Sequence, residues 1–294
     1  MTTITVIDDP DDPRIAAYRD IRERDLVGRA GLFIAEGEVV LRMLLGSALH
    51  APQSVLIDEK RIPALAELIA AVPDGVPVYA ARQAVLDAIA GFPIHRGILA
   101  VGRRATLPDA AALLAEAGPQ AIVVALFGIA NHDNMGGIFR NAAAFGVHAV
   151  ILDSDCCDPL YRKAIRVSVG AALAVPFARL ARGADVPGLL SAGGFETLAL
   201  SPSGSAPLSE IAMPGRVAVL FGTEGPGLPA DILGRTRSVR IAMAGAIDSL
   251  NVATTSGIVL HHLAAGRAAS TAAGEVTMSA QARGWHDRAD RTRP

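Results

Sequence analysis

Apolar and polar positions divide this chain into two successive blocks of alternating strands and helices. In the first block, residues 1–105, short apolar runs at 32–35, 55–57, 76–79 and 97–101 predict strands. Helical patterns fall at 36–49, 61–72 and 81–90, and the alternating charges of 14–29 predict a further, solvated helix. Residues 106–118 read as a linker with a helical turn or two. The pattern restarts over 119–268, where continuous apolar runs at 122–127, 147–153, 196–200 and 217–222 predict strands of a parallel sheet buried on both faces. Helices are predicted between them at 135–145, 159–171, 187–193 and 229–234. The expected fold class is α/β, a doubly wound parallel sheet preceded by a smaller α/β unit. The polar tail, 269–294, reads as disordered.

One stretch has a pattern of its own. Residues 241–263 read IAMAGAIDSLNVATTSGIVLHHL, and Val252, Ser256, Val259 and Leu263 recur at i, i+4, i+7 and i+11, one face of a helix. Asp248 or Ser249 is the expected cap, since a short oxygen-bearing side chain accepts from the first-turn N–H groups. The small residues before the cap suit close approach of a ligand, and they suit equally a plain loop before a core helix. His261 and His262 read as packing and surface residues.

Composition narrows the classes. With 51% hydrophobic but only 4% aromatic residues, the core is built from Ala, Val, Leu and Ile, which favours α/β layers over a disulfide-stapled fold. No apolar run approaches the ~18–20 residues of a membrane span, and residues 1–20 are polar and acidic, so a cytoplasmic protein without membrane partners is expected. Cys156 and Cys157 are adjacent, which gives neither a disulfide framework nor a metal site. The net charge of −2 does not announce a nucleic-acid binder. Lysine stands only at Lys60 and Lys163, so the cations are nearly all arginine, whose planar fork matches phosphate oxygens.

Candidate chemistry gathers at predicted strand ends, where open parallel sheets bind ligands. After the strand ending at Phe127 comes NHDNMGGIFRNA, with Asn134 and Arg140 six apart, close to two helical turns. An arginine beside Ile138 and Phe139 is costly unless it meets an anion or a core carboxylate. His132 and Asp133, neighbours in a loop, make no metal or acid–base pair. After the next polar junction comes LFGTEGPGL, a rigid turn with exposed backbone N–H groups. It lacks GxGxxG, and Glu224 would repel a pyrophosphate, so a neutral or cationic ligand fits better. Arg162 and Arg166 stand at i, i+4 and read as an RNA-backbone contact or a solvated face. Glu36 and Glu38 read as helix-start glutamates, and His95-Arg96 as a surface loop or an RNA contact.

Taken together, NHDNMGGIFRNAAAFG, LFGTEGPGL and IAMAGAIDSLNVA resemble the three motifs of the SpoU (TrmH-like) RNA 2′-O-ribose methyltransferases, in that family's order. The resemblance covers 120–265, and LFIAEGEVVLRMLL and HRGILAV are similar to the family's small RNA-binding domain. It implies a SPOUT methyltransferase domain with a C-terminal trefoil knot, an S-adenosylmethionine cofactor, an RNA substrate (ribosomal in preference to transfer RNA) and a homodimer with the site at its interface, without metal. Gly222, Ile241 and Leu250 would hold the cofactor through backbone groups. Asn134, Arg140, Glu224, Ser249 and Asn251 match the family's active-site polar positions. Ala242 departs from the family, which commonly has proline there. The resemblance casts Arg140 as the base that accepts the 2′-OH proton. A guanidinium with a pKa above ~12 makes a poor base, so the alternative expected of Arg140 is chiefly to bind the phosphate beside the target ribose and orient the hydroxyl. The alternatives are a non-catalytic RNA-binding protein of the same fold and a nucleotide-dependent oxidoreductase.

Overall fold

The computed structural model describes residues 3–19, 27, 31–90, 97–106, 108–212, 215–244 and 249–272. In chain order the first elements are β1 (Ile4–Ile7), β2 (Leu32–Glu36), α1 (Glu38–Leu45), β3 (Ala51–Asp58), α2 (Ala66–Ala70), β4 (Val78–Ala81), α3 (Gln83–Ala90) and β5 (Ile98–Arg103). There follow α4 (Ala110–Ala115), β6 (Ile122–Leu126), α5 (His132–Ala144), β7 (Ala149–Leu152), α6 (Arg162–Val167), β8 (Phe177–Arg179) and α7 (Val186–Ala192). The last are β9 (Glu196–Leu200), β10 (Ala206–Pro207), β11 (Val217–Phe221), α8 (Ala230–Gly234), β12 (Arg237–Arg240) and α9 (Val252–Ala272). They form two compact units, Met1–Thr106 with Asp158–Ala174, and Leu107–Cys157 with Val175–Pro294.

The first unit is a mixed five-stranded sheet in the order β1-β4-β3-β5-β2, with β2 and β3 antiparallel to β5. Ile7, Ile15, Tyr18, Leu56, Leu86 and Leu99 pack into one core on it. The expected solvated helix at 14–29 is instead a 3-10 turn, Pro13–Tyr18, capped by Asp12. Ile15 and Tyr18 fall at i, i+3, which one turn of three residues brings to the same buried side. Residues 20–26 and 28–30 lie outside the described residues, as do His95 and Arg96. The stretch 61–72 is broken as well, because Pro63 opens a 3-10 turn ahead of the short α2. Glu36 is not at a helix start: it closes β2, is 6% exposed and is ion-paired to Arg162 at 3.0 Å.

That pairing is possible because 158–174 belongs to the first unit although it follows β7 in the chain. The segment is tied down by Arg104–Asp158 at 2.6 Å and by Ser47 Oγ donating to the Leu173 carbonyl at 2.9 Å. Its helix ends early because Val169 and Gly170 both adopt left-handed backbone, with φ of 54° and 84°, and Gly170 packs on Met43.

The second unit is an all-parallel seven-stranded sheet in the order β10-β12-β9-β11-β6-β7-β8. Its central strands β6 (IVVAL) and β11 (VAVLF) are buried at every position, as their unbroken apolar runs require. Four short strands escaped the sequence pattern: β1, β8, β10 and β12. The stretch 106–118 contains α4, whose Leu113 and Leu114 are buried in this unit's core. Helix α9 lies on α5 with Val252, Ser256, Val259 and Leu263 turned inward, as their spacing predicts. The crossing is close: a Cβ on Gly137 would press on Ala253 Cβ, and Asn141 Nδ2 donates to the Ala253 carbonyl and to Ser256 Oγ at 2.8 and 2.9 Å. From residue 273 onward the chain lies outside the described residues.

Candidate active site

Three connections leave the carboxyl ends of β6, β11 and β12 and meet. After β6, Gly128 turns the chain at φ 64°, and its amide donates to Asp153 Oδ2 at 3.0 Å. Asn131 then caps α5, its Oδ1 accepting from the amides of Asp133 and Asn134 at 2.8 and 3.2 Å. This places Asn134 in the first turn, 6% exposed. After β11, Gly222 approaches the backbone of Gly227 and Leu228 so closely that any side chain there would overlap it. The turn is closed by Gly227 N donating to Thr223 O at 3.1 Å, and it carries Glu224. After β12 the chain runs through Ile241 to Asn251, which caps α9 by accepting from the amides of Ala253 and Thr254 at 2.9 and 3.2 Å. Asn251 therefore replaces Ser249 as the cap, because the helix begins at Val252; Asp248 lies outside the described residues.

These caps and turns bring three separate motifs into one hydrogen-bonded set. Asn134 Nδ2 donates to Glu224 Oε1 at 2.6 Å, and Asn251 Nδ2 donates to Asn134 Oδ1 at 2.8 Å and to Glu224 Oε1 at 3.3 Å. Both ends of the Asn134 amide are thereby committed, and the Glu224 carboxylate is held by two neutral donors, with no cation paired to it among the described residues. Beside the set lies a cavity of about 360 Å³, lined by Gly222, Glu224, Ile241, Ser249, Leu250 and Asn251, with Leu200, Ser201 and Pro202 as a further wall. It sits at the carboxyl ends of β9, β11 and β12, the end of a parallel sheet at which ligands bind.

Arg140 is not brought to this cavity. It stands six residues beyond Asn134 on α5, about 9 Å along the axis and a third of a turn around it. It is exposed, so the cost expected for an arginine among apolar neighbours does not arise: Ile138 and Phe139 face the core and Arg140 faces away. Among the described residues no carboxylate pairs with it. Arg162 and Arg166 belong to the first unit, and only Arg166 is exposed; Arg162 is held by Glu36. The thiol of Cys156 is structural: burial pushes its pKa up, and its Sγ accepts from Ile129 N at 3.3 Å and donates to Leu126 O at 3.4 Å.

Sequence reading passed over several of the parts. Asn131 carried a legible cap signal, a side-chain oxygen ahead of a helical pattern. Asn141 carried none, because its partners are 112 and 115 residues away. The wall at 200–202 is likewise set by strand order alone.

The profile described as the SpoU rRNA Methylase family matches residues 121–261. A tRNA/rRNA methyltransferase of Mycobacterium bovis is 40% identical over 262 residues, covering 86% of this chain and 89% of its own length. The 23S rRNA (guanosine-2′-O-)-methyltransferase RlmB of Acinetobacter baylyi is 30% identical over 209 residues, 69% of this chain and 84% of that one. Among solved structures, an AdoMet-bound rRNA methyltransferase from Sinorhizobium meliloti superposes with a TM-score of 0.72 at 25% identity, covering 88% of this chain and 97% of that one.

Proposed function

The chain belongs to the SpoU rRNA methylase family, and from that premise we propose that it transfers a methyl group from S-adenosylmethionine to a ribose 2′-hydroxyl of ribosomal RNA. The observation that carries the reading is the Asn134–Glu224–Asn251 set beside a cavity of about 360 Å³. A cavity of that size suits a small-molecule cofactor, and it has the backbone-rich lining that Gly222 enforces. A carboxylate without a cationic partner among the described residues, Glu224, suits a cationic sulfonium better than a pyrophosphate. Gly222, Ile241 and Leu250 would hold the cofactor, chiefly through backbone groups; when bound, it supplies an activated methyl on a cationic sulfur.

What the chain's own residues contribute is alignment. Asn251 ties the loop before α9 to the helix N-terminus, and Asn134 ties that helix to the β11 turn, so the two walls of the cavity keep one spacing. Ser249, on the same wall, is a polar group free to meet the substrate. Arg140 serves as a bidentate clamp on the phosphate beside the target ribose, orienting the hydroxyl. Because Arg140 does not line its own protomer's cavity, a homodimer in which a second copy supplies it is the arrangement we favour. The partly exposed Met243, Leu250 and Ile258 give that contact its apolar surface. The C-terminal trefoil knot and a cytoplasmic location complete the reading, and Arg166 is retained as an RNA-backbone contact of the first unit.

The test is transfer of labelled methyl from S-adenosylmethionine to ribosomal and transfer RNA fractions, followed by digestion to nucleosides. Label on a 2′-O-methylated nucleoside from ribosomal RNA is expected. Cofactor binding by calorimetry without transfer to either fraction would favour the non-catalytic RNA-binding alternative.

A further inference from the structure

The cavity wall at 200–202 begins on the last residue of β9, Leu200, which pairs with Val239 of β12, and beyond it the chain turns back within four residues. The turn is closed by Gly204 N donating to Ser201 O at 3.0 Å. It then lies flat across β12: Ser201 N donates to Val239 O at 3.0 Å, and a Cβ on Gly204 would overlap the Val239 backbone. Two side chains of β12 fasten it: Ser238, whose Oγ accepts from Ser205 N at 3.1 Å, and the last residue, Arg240. Arg240 Nη1 donates to the carbonyls of Gly204 and Ser205 at 2.6 and 2.9 Å. Among the described residues Arg240 forms no ion pair, so its charge is directed at these two carbonyls, and charge-assisted bonds are stronger than neutral ones. The residue after it is Ile241, which lines the same cavity.

We propose that Arg240 is a positioning residue for the cofactor: it clamps the 201–205 turn so that Ser201 and Pro202 stand at a fixed distance from Ile241 and Met243. It touches neither substrate nor cofactor and acts through the wall. The proposal rests on reading this cavity as the S-adenosylmethionine site. It predicts a change in cofactor affinity with little change in turnover once the cofactor saturates, because the clamp sets the cavity's width and not the reacting groups.

The test compares Arg240→Ala, Arg240→Lys and Arg237→Ala in the full chain. Arg237 is the control: it lies on the same strand, but its guanidinium pairs with Glu196 at 3.2 Å. By calorimetry, Arg240→Ala is expected to weaken S-adenosylmethionine binding about 10-fold, Arg240→Lys to recover part of that through one carbonyl, and Arg237→Ala to bind as wild type. At saturating cofactor, kcat of Arg240→Ala stays within about twofold. Without cofactor, amide hydrogen exchange at 203–206 speeds up in Arg240→Ala only. Equal loss in Arg237→Ala, a fall in kcat matching the fall in affinity, or unchanged affinity in Arg240→Ala would each overturn the role. If the wild type binds no S-adenosylmethionine, the cofactor reading fails, and the exchange comparison still decides whether Arg240 holds the turn.

Discussion

Replacing Asn251 separates two jobs that one amide performs. Its Oδ1 caps α9 through the amides of Ala253 and Thr254, and its Nδ2 reaches Asn134 and Glu224. Loss of an asparagine cap costs about 1 kcal/mol. A neutral side-chain hydrogen bond contributes about 1 kcal/mol net. Asn251→Ala should then lower the local opening free energy of the first turns of α9 by about 2 kcal/mol, a roughly 30-fold rise in amide exchange. Asn251→Ser keeps a capping oxygen but cannot reach both partners, so only about 1 kcal/mol is lost, a roughly 5-fold rise. The assay is hydrogen-exchange mass spectrometry on peptides covering 252–260. A local measurement is preferred because two compact units need not unfold in one step. Both variants should lose most methyl transfer, since both strip Asn134 Oδ1 of its donor and leave the Asn134 amide held by Glu224 alone. If the serine variant exchanges as fast as the alanine variant, the cap assignment is wrong. If it keeps full activity, the three-residue set does not hold the site together.

Arg140→Ala should leave thermal stability within about 0.5 kcal/mol, because an exposed residue with no ion pair among the described residues contributes little. Methyl transfer should nevertheless fall about 100-fold, and Arg140→Lys should recover little of it, since lysine lacks the fork; near-normal turnover in the lysine variant would rule out the phosphate clamp. Gly222→Ala should weaken cofactor binding more than 10-fold while the first unit is unaffected, as a Cβ there overlaps the Gly227 and Leu228 backbone; binding by calorimetry decides. His50 is buried, and desolvation, followed by the nearby Arg104, lowers its pKa from 6.5 to about 4 against the opposing pull of Asp158. Its charged form is disfavoured in the folded state, so no penalty exists above pH 6.5. Stability of the first unit is lost as the pH falls from there towards 4, by up to about 3 kcal/mol. His50→Gln should flatten that slope in thermal melts, and an unchanged slope would exclude His50 as its source.

Some of this protein was determined by local sequence alone. The unbroken apolar runs of β6 and β11 can be satisfied only by strands covered on both faces, and the spacing of Val252, Ser256, Val259 and Leu263 only by a helix with one buried side. The three motifs announced themselves as strand-end loops, and it was the resemblance to the SpoU family, not their spacing, that singled out Gly222, Glu224, Ile241, Leu250 and Asn251, all of which line the cavity. Proline and left-handed glycine broke the helices expected at 61–72 and 159–171, and their exact ends followed packing, not periodicity.

The rest required the tertiary structure, because it depends on contacts between residues far apart in the chain. Segment 158–174 reads as part of the second block yet completes the first unit, where its Arg162 meets Glu36 across 126 residues and so differs from the exposed Arg166. Arg140 shares a motif with Asn134, but helix geometry turns it to another face. Arg240 sits on a four-residue strand too short and too charged to be predicted, and only the order β10-β12-β9 lays the 201–205 turn within its reach. Periodicity fixes which side of an element is buried; only strand order fixes which distant side chain it meets there.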